Sequence, residues 1–85
     1  MKFDRITLNP AIMGGKPCIR GMRVTVGMIL GLLSSRVSRE QILVEYPYLE
    51  EADIDAALEF ATWRVEERED ELVAARRFRG ASPHR

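Results

Sequence analysis

Cysteine, histidine and tryptophan each occur once in the 85 residues, and the formal net charge is zero. Cys18 alone cannot close an internal disulfide. "MKFDRITLNP" carries no apolar leader, so the chain is expected to be a reduced, cytoplasmic protein. The sole histidine, His84, sits near the end of the sequence, so neither Cys18 nor the many carboxylates have a neighbour that completes a metal site or activates a nucleophile. No enzyme activity, metal or cofactor is expected. Long apolar runs are also missing. "VGMILGLL", Val26 to Leu33, falls far short of the ~20 residues that cross a bilayer. There is no low-complexity tract, and the chain is long enough for one small core, a size that often gains stability by pairing.

The zero net charge hides a strong partition. Through Arg39, Lys2, Arg5, Lys16, Arg20, Arg23, Arg36 and Arg39 face Asp4 alone, for a net charge of +6. From Glu40 to Glu71, twelve carboxylates face only Arg64 and Arg68, for −10, and the remaining residues carry +4. Such asymmetry bears on partners rather than on fold.

Local patterns predict a mainly helical fold, three helices arranged like a helix-turn-helix after a short β-strand or hairpin segment. "RITLNP" alternates Ile6 and Leu8 with polar residues and reads as a strand ended by Asn9-Pro10. "KPCIRGMRVTV" reads as one or two further short strands bent at Gly21, with Pro17 at an edge or a strand start. Thr25 caps a first helix, Val26 to about Ser35. That helix is apolar nearly all round, so burial on several sides is expected, with close packing at Gly27 and Gly31. Ser38 to Gln41 form a capping box for a second helix, with Ile42, Leu43 and Tyr46 inward and Pro47 as its stop. A third helix starts near Glu50 or Glu51 and runs to about Arg77. Ile54, Ala57, Leu58, Ala61, Trp63 or Arg64, and Val65 follow its period, and Leu58, Val65 and Leu72 stand seven apart. One domain, residues 1–79, is expected, with a β segment over 1–24, the long helix over 50–77 and a flexible tail over 80–85.

The segment "GGKPCIRGMRV" (14–24) sets three cations among glycines and a proline. It lacks the earlier glycine of a phosphate loop, and Pro17 stands where such a loop needs a hydroxyl and an N–H. A basic arm and a structural hairpin remain, and they are compatible.

Here the residues resemble a known family. Gly15, Pro17, Ile19, Gly21, Met22 and Arg23, then Ile42, Leu43, Tyr46, Pro47, Leu49, Ile54, Ala57 and Leu58, follow in order the pattern of the domain of unknown function 433 family. The resemblance covers roughly the first sixty residues. It implies a helix-turn-helix-related antitoxin that neutralises a PIN-like ribonuclease toxin, with operator DNA as a second ligand. Two positions depart from the pattern. Arg36 stands where the family often has glycine, so a different turn is expected there. Glu50 stands where Ser or Thr often caps the third helix.

Glu50, Glu51, Asp53 and Asp55 crowd the start of the third helix, the end that a helix-turn-helix protein presents to the major groove. They repel phosphate, so DNA contact is assigned instead to Arg5, Lys16, Arg20, Arg23, Arg36 and Arg39. Arg23, within the hairpin motif, is the one expected to pair internally with the acidic helices. Protein contact is assigned to Leu72, Val73, Arg76, Arg77, Phe78 and Arg79, an aromatic anchor among arginines suited to the acidic site of a nuclease. The reading is a homodimeric antitoxin-like module. A stand-alone transcriptional regulator and a dimeric assembly module that binds no nucleic acid are the alternatives.

Overall fold

Two residues of strand and one tight turn organise the N-terminal third. In the computed structural model, which describes residues 3–79 and side chains as far as residue 68, β1 (Ile6–Thr7) pairs antiparallel with β2 (Cys18–Ile19). The register sets Ile6 opposite Ile19 and Thr7 opposite Cys18. A 3₁₀ turn, Met13–Gly15, returns the chain between them, and Gly14 and Gly15 take positive φ there. Pro17 immediately precedes β2, where its missing N–H costs no ladder bond. The third strand of the sequence reading is present as a single bridge between Cys18 and Thr25.

After β2 the chain reverses through Ile19–Met22, closed by the Met22 N–H donating to the Ile19 carbonyl at 2.8 Å. Its two central residues, Arg20 and Gly21, have φ of 45° and 74°. Positive φ at both positions is the signature of a type I′ turn, which normally selects Asn-Gly. Arginine at the first position is therefore strained, and its side chain explains why the strain is tolerated, as described below.

Helix α1 (Val26–Ser34) begins at Thr25, whose hydroxyl accepts from the Met28 N–H at 2.9 Å. It buries Val26 and Ile29 and half-buries Leu30, Leu32 and Leu33, leaving Gly27, Met28, Gly31 and Ser34 exposed. The expectation of burial on several sides does not hold, because only one side of the helix meets the core. Close packing at the glycines is also absent among the described residues. A Cβ on Gly31 would meet nothing within 4 Å, and one on Gly27 only the Thr25 hydroxyl at 3.8 Å.

Arg36 takes φ 69° after the end of α1. The Val37 N–H donates to the Leu32 carbonyl and the Arg36 N–H to the Leu33 carbonyl, both at 3.0 Å, which is the complete Schellman pattern. The different turn expected for a non-glycine residue is thus not adopted. Arginine takes the left-handed position in a turn that supplies donors to the last carbonyls of α1.

Helix α2 (Arg39–Glu45) is capped by Ser38, whose hydroxyl accepts from the Gln41 N–H at 3.1 Å. Gln41 does not reach back to complete the box but turns forward to Glu45 at 3.2 Å. Ile42 is fully buried, with Leu43 and Tyr46 partly buried, as the period predicts. Helix α3 (Glu51–Arg79) packs chiefly on α1. It contributes Ile54, Ala57 and Phe60 to the core, whereas Leu58 and Val65 are exposed.

The centre of the core takes one fully buried isoleucine from each segment: Ile19 from the hairpin, Ile29 from α1, Ile42 from α2 and Ile54 from α3. Each such side chain contributes about 1.5–3 kcal/mol by burial. Phe3 ties the N-terminal segment to α3 through ring contacts with Phe60 at 5.2 Å and Trp63 at 5.6 Å. Among the described residues, no helix is long and apolar enough to cross a membrane.

Candidate functional site

The β1–β2 register continues one step to Arg5 and Arg20, where the Arg20 N–H donates to the Arg5 carbonyl at 2.9 Å. Two guanidinium groups are thereby held side by side. Asp53, on the first turn of α3, lies between them and is fully buried. Its Oδ1 accepts from Arg5 Nη1 at 2.9 Å and Arg20 Nε at 3.0 Å, and its Oδ2 accepts from Arg20 Nη2 at 2.8 Å. Oδ2 also accepts from the Glu50 N–H at 2.8 Å. This last bond is the reciprocal half of a capping box, made from the third helical position back to the cap. Glu50, a poor cap by its own side chain, is therefore compensated by Asp53.

Burial alone pushes the Asp53 carboxyl up. The Arg20 fork, the Glu50 N–H and Arg5 outweigh it and hold the group at about 2. The guanidinium groups move the other way: Arg5 is raised by its bonds to Glu50 and Asp53, and Arg20 by its bond to Asp53. Arg5 also reaches Glu50 at 2.7 Å, and Arg20 donates to the Tyr48 carbonyl at 2.9 Å. The turn that strains Arg20 thus delivers its side chain to a buried carboxylate and to the loop before α3.

A second clamp grips the same end of α3. Arg39, the first residue of α2, bridges Glu51 at 2.7 Å and Asp55 at 2.8 Å, and these bonds raise its pKa. All four carboxylates at the start of α3 are therefore paired with arginines from the hairpin and α2.

Three of the six cations assigned to DNA, Arg5, Arg20 and Arg39, are engaged in these pairs. Arg23, the one expected to pair internally, instead contacts the Met13 sulfur at 3.9 Å. The correction has a simple cause, since the strand register points to Asp53 from positions 5 and 20. Lys16, Arg23 and Arg36 have no ion pair among the described residues. Leu72, Val73, Arg76, Arg77, Phe78 and Arg79 lie on the backbone of α3, but their side chains fall outside the described residues. Cys18 is buried, its thiol donating to the Lys16 carbonyl at 3.2 Å, and so acts as a small core residue. Sequence reasoning missed Asp53 as a centre, and it missed Phe60 and Phe3 in the core. An aspartate three residues after a weak cap was the available signal for the first.

No group of His, Cys, Asp or Glu side chains among the described residues is arranged to hold a metal ion. The fold and its clamps define a small, mainly helical domain in which a basic two-strand hairpin is locked onto the acidic start of a long helix. The chain belongs to the family described as protein of unknown function (DUF433), whose model matches residues 6–61. A crystal structure of a DUF433 member protein from Anabaena variabilis shares this fold, with a TM-score of 0.70 and 24% identity over 82% of this chain and 69% of that one. No curated protein matches the sequence. The family match ends at Ala61, two residues before Trp63, the last described side chain of α3 that packs on the core.

Proposed function

We propose that this chain is an antitoxin-type binding protein that captures and neutralises a PIN-like ribonuclease. The observation that carries the reading is the arm formed by α3. Trp63 is the last described side chain of this helix that packs on the core, whereas the helix continues to Arg79. At 1.5 Å per residue this is about 24 Å of helix beyond Trp63, and none of its described side chains, Arg64 to Arg68, joins the core. An isolated helix of such length is marginal in water and gains its stability from a surface it packs on. Arg64 to Arg68 are all exposed, with Val65 at 57%. A protein partner suits such an arm better than DNA does, because the flank that would approach a groove is carboxylate-rich and its arginines are committed to internal pairs.

Operator DNA is a second ligand on this reading. Lys16, Arg23 and Arg36 favour it, because they remain outside ion pairs among the described residues. The nuclease class is what the family resemblance implies, and the homodimer of this reading packs through the open face of α1.

The test is co-purification. The tagged chain, co-expressed with a PIN-like ribonuclease from the same genome, is expected to retain the nuclease through gel filtration in 0.15 M salt. A nuclease that elutes alone would refute the reading.

A further inference from the structure

We infer that the outward face of α3 between Ala52 and Glu66 is a docking track for a cationic, amphipathic helix of a protein partner; the inference rests on the reading of α3 as a protein-binding arm. Two depressions lie along this face and share Glu59. The first, of about 310 Å³, is lined by Phe3, Ala52 and Ala56 together with Asp4, Arg5, Asp55 and Glu59, and its Arg5 is already committed to Glu50 and Asp53. The second, of about 440 Å³, is lined by Leu58, Thr62 and Trp63 together with Glu59 and Glu66. Their lining residues on α3 recur every three or four positions, so they form one side of the helix, about 21 Å long.

Charge selects the occupant. Glu50, Glu51, Asp53 and Asp55 are matched by Arg5, Arg20 and Arg39. Glu59 and Glu66, by contrast, have no ion pair among the described residues. Carboxylates with no ion pair among the described residues, set beside apolar Leu58 and Trp63, repel nucleic-acid phosphates and anionic lipid. They attract a surface that sets Lys or Arg beside apolar side chains. A straight track one helix wide is filled by another helix, laid ridge into groove at 8–10 Å between axes.

Trp63 reports on the track, because it is the only tryptophan in the chain and lines the second depression. The probe is a synthetic amphipathic Leu–Lys helix of about five turns, and the control is the same helix with Glu in place of Lys. A saturable blue shift of Trp63 emission is expected with the Leu–Lys helix and none with the Leu–Glu helix. Glu59→Lys combined with Glu66→Lys should weaken the response at least about tenfold, as expected when a 1.4 kcal/mol contact is lost. Glu40→Lys on α2 should change it less than about twofold, as a surface charge away from the contact. Equal response to both helices, or unchanged affinity in the double variant, would overturn the assignment. Emission that shifts with protein concentration alone, and stops doing so in the double variant, would give the track to a second copy and also overturn it. If the peptide result holds while no ribonuclease binds the wild-type chain, the track stands and the antitoxin reading falls.

Discussion

Arg20 grips Asp53 with both edges of its guanidinium, Nε to Oδ1 at 3.0 Å and Nη2 to Oδ2 at 2.8 Å. This fork connects a strained hairpin turn to the first turn of the long helix. It is the bond on which the mutual position of the basic and acidic halves depends, because Asp53 is buried and has four donors converging on it.

Acid should loosen the clamp. Asp53 titrates at about 2 in the folded chain against an ordinary 3.8. A lowered folded value means that the contribution is fully present above the ordinary value and is lost as pH falls toward 2. The contribution is about 2 kcal/mol. Urea unfolding should therefore show stability dropping by about that amount between pH 5 and pH 2. In Asp53→Asn the part of the drop due to this group should vanish, leaving a flatter and lower profile.

Lysine should not replace Arg20. Its ammonium is a point donor and cannot make the fork to Asp53 together with the bond to the Tyr48 carbonyl. The backbone strain at φ 45° is unchanged by Arg20→Lys, so the loss isolates the fork. A cost of about 1–3 kcal/mol is expected. Arg39→Ala removes a clamp whose acidic partners are each 58% exposed, and should cost no more than about 1 kcal/mol. Equal costs for the two variants in chemical denaturation would contradict the ranking.

Arg36→Gly should stabilise the fold. The residue sits at φ 69° in a Schellman turn, where an L side chain pays about 1 kcal/mol that glycine does not. A rise in thermal midpoint is the expected result. A fall would show that the Arg36 side chain makes a contact worth more than its strain.

Gly31→Ala separates a free face from a covered one. In the single chain a Cβ there meets nothing within 4 Å, so alanine should add up to about 1 kcal/mol through helix propensity. If the dimer packs through this face of α1, the same change should weaken association in sedimentation equilibrium while the monomer is stabilised.

Much of this arrangement was legible in the sequence. The helix starts at Thr25 and Ser38, the stop at Pro47 and the strand before Asn9-Pro10 are local chemistry, and each is found where the sequence puts it. The ion-pair map was not legible, because it depends on strand register. Arg5 and Arg20 meet at Asp53 only once Ile6 pairs with Ile19, and position within the hairpin motif alone favoured Arg23. Phe60 escaped notice for a related reason: the apolar period of α3 drifts, and the Leu58–Val65 line that looked most regular is exposed. The open glycine face of α1 could not be read either, since composition shows that a helix is apolar but not how many neighbours it has.

The central claim is that the projecting half of α3 holds a ribonuclease. Its most direct measurement is the activity of a PIN-like ribonuclease on single-stranded RNA, titrated with the full chain and with a chain ending at Glu71. Circular dichroism would first establish that the shortened chain keeps the fold, which the complete core of Ile19, Ile29, Ile42 and Ile54 predicts. The full chain should suppress cleavage at a stoichiometric ratio and the shortened chain should leave it active. Equal suppression by both chains, or none by either, would contradict the account.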